Sequence, residues 1–147
     1  MSVKESRSVA GAQEKTPTNA WLMGLAAWAV PGAGHFLQGR WMRGLIVAAA
    51  ICGMFIIGLI FGGHLFGLGG GSGEGASALL QLPPTIANLG TGLLYLLCWT
   101  SNTGFSDAAE YAKLPTFEYG NTFLLVAGLL NYLAMLDAFD IAAGRKP

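Results

Sequence analysis

The sequence predicts an all-α, polytopic membrane helix bundle, and three observations carry that expectation. Only 11% of the 147 residues are charged and 53% are hydrophobic, whereas a soluble domain carries about 25% charged residues. The charges fall in short clusters, so that residues 16–39, 44–73, 75–106 and 120–136 contain none. One apolar stretch, 44–66, is 23 residues long. As a helix it would reach roughly 35 Å at ~1.5 Å per residue, enough for a hydrocarbon core of about 30 Å.

The balance of charge narrows the partners. Eight Lys and Arg against eight Asp and Glu leave no net charge, which excludes nucleic acid as a main partner because phosphate contacts need a basic excess. Cys52 and Cys98 lie inside apolar runs, which is not the pattern of a disulfide scaffold. The chain holds 22 glycines, about twice the usual ~7% share, yet most fall within apolar runs. That distribution favours a membrane class over disorder.

In chain order, residues 1–19 read as a polar mobile tail, 20–142 as one transmembrane helical domain and 143–147 as a short basic tail. The first apolar block, 20–30, is only 11 residues before Pro31-Gly32. It is half a span, a re-entrant segment or a kinked span ending near Leu37. It imitates a signal peptide, but Glu5, Glu14, Trp21 and Trp28 argue against cleavage. Interfacial anchoring by Trp21, Trp28 and Trp41 is the better account. The second block, 44–66, spans. The third cannot contain Leu82-Pro83-Pro84 mid-helix, since proline lacks the N–H and clashes with the preceding turn. A span there starts at Pro84 or Thr85 and ends at Thr100. The fourth, 122–136 with extensions to 120 and 142, also spans.

The most distinctive stretch is 31–44, Pro-Gly-Ala-Gly-His-Phe-Leu-Gln-Gly-Arg-Trp-Met-Arg-Gly. It resembles the P-G-x-G-[His/Gln]-x-x-x-G-[Arg/Lys]-x-x-[Arg/Lys]-G turn of several families of small uncharacterised bacterial membrane proteins. It is loosely similar to the two-transmembrane-helix domain with its His-Arg-Phe-Tyr-Leu-Gly turn. Here His35 to Gly39 is one residue shorter and Phe-Leu-Gln replaces the Arg-Phe-Tyr-Leu core. The C-terminal stretch from Gly120 through Asn131 to Asp137-Ala138-Phe139-Asp140 and Ala142 resembles the last helix of such families. The resemblance implies membrane architecture and no activity.

The candidate chemistry is sparse. His35 and His64 are the only histidines, and either one in an apolar site would suit haem or pigment ligation. No second His or Cys lies at ligand spacing, so an interfacial histidine is the stronger reading and no metal or cofactor is expected. The glycine run 67–75 lacks the strand and the Lys-Ser/Thr of a nucleotide loop and reads as a linker. No Ser-His-Asp arrangement emerges, so no enzyme is expected.

Small residues are better explained by packing. Gly44, Ala48 and Cys52 recur every four residues, as do Ala49 and Gly53, Gly58 and Gly62, and Ala134, Ala138 and Ala142. Such faces let helix backbones approach in lipid, and Asn88 and Asn131 in apolar helices would each hydrogen-bond across the bundle, with a pathway-lining role as the sharper reading of Asn131. Arg40 and Arg43 share one helix face, as do Asp137 and Asp140, and each pair suits a membrane interface.

Basic residues then rank the topologies under the positive-inside rule. Four spans put five Lys and Arg inside and three outside; a re-entrant first block gives six to two; a third block that also fails to span gives seven to one. Only the last brings Arg40, Arg43, Asp137 and Asp140 to one face, where the four would clamp the bundle; otherwise each pair is solvated at its own interface. The expectation is three or four spans with a cytoplasmic N-terminus in the cell membrane. For function, a non-enzymatic structural or accessory subunit leads, with the bilayer and other membrane helices, or a second copy, as partners. A small transporter or channel component comes second, and a haem- or pigment-binding electron-transfer subunit third.

Overall fold

The computed structural model describes residues 17–67, 76–105 and 110–146. Among these the chain is all-helical, without strands. The order is α1 (Pro17–Ala29), α2 (Ala33–Leu37), α3 (Trp41–Ile60), α4 (Ala76–Leu89), α5 (Leu93–Thr100), a 3-10 turn (Tyr111–Lys113) and α6 (Phe117–Ala142). The expected tail lies outside the described residues up to Thr16, as does the linker from Leu68 to Gly75.

α3 and α6, with 20 and 26 residues and mean hydropathies of 2.3 and 1.7, are long and apolar enough to cross a membrane. α6 buries Gly120, Leu124, Ala127, Asn131, Ala134 and Ala138. Their alternating steps of four and three form one stripe along the helix. α3 meets this stripe with Ile51, Phe55 and Gly58 buried. A Cβ on Gly58 would lie 2.8 Å from Leu124 Cγ and 3.0 Å from the Gly120 carbonyl oxygen. At its other end α3 brings Gly44 against Gly32 and Phe36, in the segment that docks on the end of α6. The two long helices are therefore antiparallel. Large apolar side chains such as Ile60 (73% exposed) and Leu80 (77%) point outward, an apolar surface beyond what an isolated soluble chain usually shows.

The first block does not run on to Leu37 as a kinked helix. Trp21 near the start of α1 stacks edge-on against Phe139, and α1 follows the C-terminal half of α6. Pro31 and Gly32, the latter at φ 82, then reverse the chain. α2 returns to the end where α1 began: Gly34 packs against Ala138 and Ala27, and the Gln38 side-chain amide donates to the Ala138 carbonyl at 2.7 Å.

The third block departs further from expectation. The helix expected between Pro84 and Thr100 is broken at Gly90-Thr91-Gly92, with Gly92 at φ 63. α4 and α5 form a second, splayed hairpin whose arms pack little on each other, entering from the opposite end of the α3–α6 pair. Nor do the prolines stop a helix, since α4 runs through both Pro83 and Pro84. The Thr85 hydroxyl donates to the Gln81 carbonyl at 2.7 Å, one of the local adjustments that let apolar helices accommodate proline. A glycine in the left-handed region redirects the backbone, whereas a proline only removes a hydrogen bond. Among the described residues two helices are of crossing length, whereas the sequence leads one to expect three or four spans.

The small residues of α3 divide into two sets. Gly44, Ala48 and Gly58 face α2, the turn before it, or α6, whereas nothing lies within 4 Å of a Cβ built on Gly53. Gly62, at φ 79, forms the turn that ends α3. Gly58→Leu should therefore lower the melting temperature in detergent by several degrees, as ~1–3 kcal/mol of overpacking would, and Gly53→Leu should leave the monomer's melting temperature within error. Equal effects would contradict this division.

Candidate functional site

The two hairpins meet at Asn131, midway along α6. This residue is fully buried, and its Nδ2 donates to the Trp28 carbonyl at 2.9 Å and to the Gly90 carbonyl at 2.8 Å. Both acceptors belong to the ends of half-length helices, where the last carbonyls have no helical donor. Two more bonds close the junction. Trp28 Nε1 donates to the Leu89 carbonyl at 3.2 Å, and the Tyr132 hydroxyl to the Ile86 carbonyl at 2.9 Å. Glycine makes the approach possible: a Cβ on Gly128 would strike the Ala87 carbonyl, one on Gly90 the Gly128 carbonyl, and one on Gly92 the Trp28 carbonyl.

Beside this weld lies an unused set of hydrogen-bonding atoms. Asn88 is fully buried, its Cα 3.5 Å from the position of a Cβ on Gly128. Neither atom of its amide has a hydrogen-bond partner, and Asn131 Oδ1 has none either. Leaving a buried polar group unpaired costs about 1–3 kcal/mol. The junction therefore buries an amide donor and two carbonyl-type acceptors that no described residue satisfies.

The charged residues gather where α3 begins and α6 ends. Asp137 Oδ1 accepts from Lys146 Nζ at 2.8 Å, and its Oδ2 lies 3.8 Å from His35 Nε2. Asp140 pairs with Arg145 at 3.4 Å. The Asp137 carboxylate raises the Lys146 ammonium above its ordinary range. Burial lowers the His35 imidazole, against the pull of Asp137, and Arg43 and Arg40 lower it further. The four charges singled out in the sequence thus share one end of the bundle, but not as a direct clamp. Arg43 acts on Asp137 only through its field, and the carboxylates pair instead with the chain's last basic residues.

His35 and His64 lie near opposite ends of α3, separated by roughly 30 Å of helix, so they cannot share one haem. Among the described residues no group of three His, Cys, Asp or Glu could hold a metal ion. His64 instead lines a cavity of about 660 Å³ at the far end, between the α4–α5 hairpin and the adjoining ends of α3 and α6. Its backbone N–H donates to Asn121 Oδ1 at 2.7 Å, and its ring meets Phe66 edge-on at 5.2 Å. Sequence reasoning missed this cavity and the glycines of the junction, and its expectation that Asn88 bonds across the bundle fails, since neither atom of that amide has a partner. A signal for the junction was present, since Gly32 and Gly34 follow one short apolar segment and Gly90 and Gly92 follow another. Interrupted segments at matching places in two halves are the sequence mark of broken helices meeting inside a membrane protein.

These features define the class as an all-helical protein with two helices long and apolar enough to cross a membrane. The chain belongs to DUF6677, a family of unknown function whose model matches residues 22–147. No characterised protein and no solved structure matches it.

Proposed function

We propose that the protein is an integral membrane protein in which α3 and α6 cross the bilayer. The hairpins α1–α2 and α4–α5 then dip in from opposite sides and meet near the midplane at Asn131. In this arrangement Lys4, Arg7, Lys15, Arg40, Arg43, Arg145 and Lys146 share one side, and Lys113 lies on the other. The positive-inside rule turns the first side, with both chain ends, to the cytoplasm.

On this topology the protein acts without catalysis, as a small transporter or channel component. One observation carries that reading: two half-length hairpins converge on α6 beside a buried, unpaired Asn88 amide. Irregular backbone at membrane depth is tolerated only where protein buries it or where it lines a polar cavity. Discontinuous helices meeting at the midplane form the binding sites of many transporters. The role of purely structural subunit ranks behind it, because dry packing gives Asn88 nothing to do.

Two measurements test the proposal. The protein should stay with membranes after alkaline washing, and recovery in the wash would end the membrane reading. Proteoliposomes should then pass a panel of ions and neutral solutes faster than protein-free vesicles, and Asn88→Leu should remove most of that increment. A flux equal to that of empty vesicles for every solute would return the chain to the structural role.

A further inference from the structure

The cavity at the end away from Arg40 and Arg43 has walls of a distinct chemistry. Trp99, Phe105 and Phe117 supply flat apolar faces, and Gln81, Asn102 and Asn121 supply amides. None of its lining residues among those described is Asp, Glu, Lys or Arg. The Gln81 side chain makes no hydrogen bond to another described residue, while its backbone carbonyl holds the Thr85 hydroxyl. The Tyr95 hydroxyl is engaged by the Phe66 carbonyl at 2.9 Å, and its ring packs edge-on against Phe105 at 5.4 Å. This wall is therefore braced without any ligand. Its volume falls in the range of small-molecule sites, which are largely apolar with a few fixed polar groups.

An ion would leave water here for described walls that carry His64 but no Asp, Glu, Lys or Arg, a large penalty for a desolvated charge. A neutral planar molecule loses much less, and amides give it both a donor and an acceptor. We propose that this cavity binds a small, uncharged, planar solute that carries both a hydrogen-bond donor and an acceptor, with the Gln81 amide reading its polar edge and the aromatic side chains its faces. On α4, Thr85 and Asn88 follow Gln81 at steps of four and three, so they continue inward on the same helical face. Both are buried. The site thus sits at the mouth of a polar line that ends at the Asn131 junction. It deepens the transport reading by naming a substrate class.

The test uses the full chain in phosphatidylcholine nanodiscs and three probes of one shape: benzamide, benzoate and benzamidine, which differ in charge. Ligand-observed NMR titration should show saturable benzamide binding at least tenfold tighter than either charged probe. Gln81→Leu should weaken it at least fivefold with the melting temperature held within two degrees. Gln81→Glu should shift the preference to benzamidine. Equal binding of the three probes, a benzamide signal unchanged by Gln81→Leu, or no saturable benzamide binding would each overturn the proposal. Flux without benzamide binding would remove this site and leave the transport reading, and binding without flux would do the reverse.

Discussion

Gly128→Ala is expected to disrupt the fold severely for a single methyl addition. The new Cβ would lie in contact with the Ala87 carbonyl, on the backbone of the opposing helix. A flexible side chain could yield, but this oxygen belongs to the end of α4, which Asn131 and Tyr132 hold through the Gly90 and Ile86 carbonyls. Relief therefore requires the α4–α5 hairpin to move away from α6. The loss should be about 3 kcal/mol, the upper end of ordinary overpacking, seen as a drop in melting temperature in detergent and as faster proteolysis near Gly90. A variant as stable as the parent would show that the two backbones do not touch.

Asn131→Asp should nearly match that loss, although it changes the side chain's shape very little. The amide donates twice, to the carbonyls of Trp28 and Gly90. A carboxylate donates to neither and sets a negative oxygen against two carbonyls. Asn131→Leu likewise leaves both acceptors buried and unpaired, at ~0.6–2 kcal/mol for each membrane hydrogen bond. Both variants should loosen both hairpins together, because one residue holds the two tips. Amide hydrogen exchange of α1 and α4 is the measurement. Exchange that quickens in one hairpin alone would mean that the tips are fastened separately.

Much of the bundle was legible in the residues themselves. Long uncharged runs give α3 and α6, because apolar length is a local property that a helix expresses wherever it lies. The polar character of Asn131 within such a run already implied a partner across the bundle, and Pro31-Gly32 already marked a break. The two possible outcomes for the third block could not be separated in the same way. Leu82-Pro83-Pro84 reads as the stop, and the span expected from there to Thr100 passes straight through Gly90-Thr91-Gly92. The structure reversed them, since a missing N–H is absorbed locally while a glycine at φ 63 turns the chain.

The sequence by itself determined an all-helical chain, its two crossing-length helices and the clusters to which its charges are confined. Tertiary structure decided that the first and third blocks fold back, that their tips share Asn131, and that Gly58 is packed while Gly53 stays open. It also decided that Asp137 pairs with Lys146 rather than with Arg43. The physical reason is the range of the interactions. Hydropathy and charge are summed along the chain, but a close backbone approach or a shared side-chain donor exists only between segments far apart in sequence. Trp28 and Asn131 are 103 residues apart, and nothing local to either one names the other.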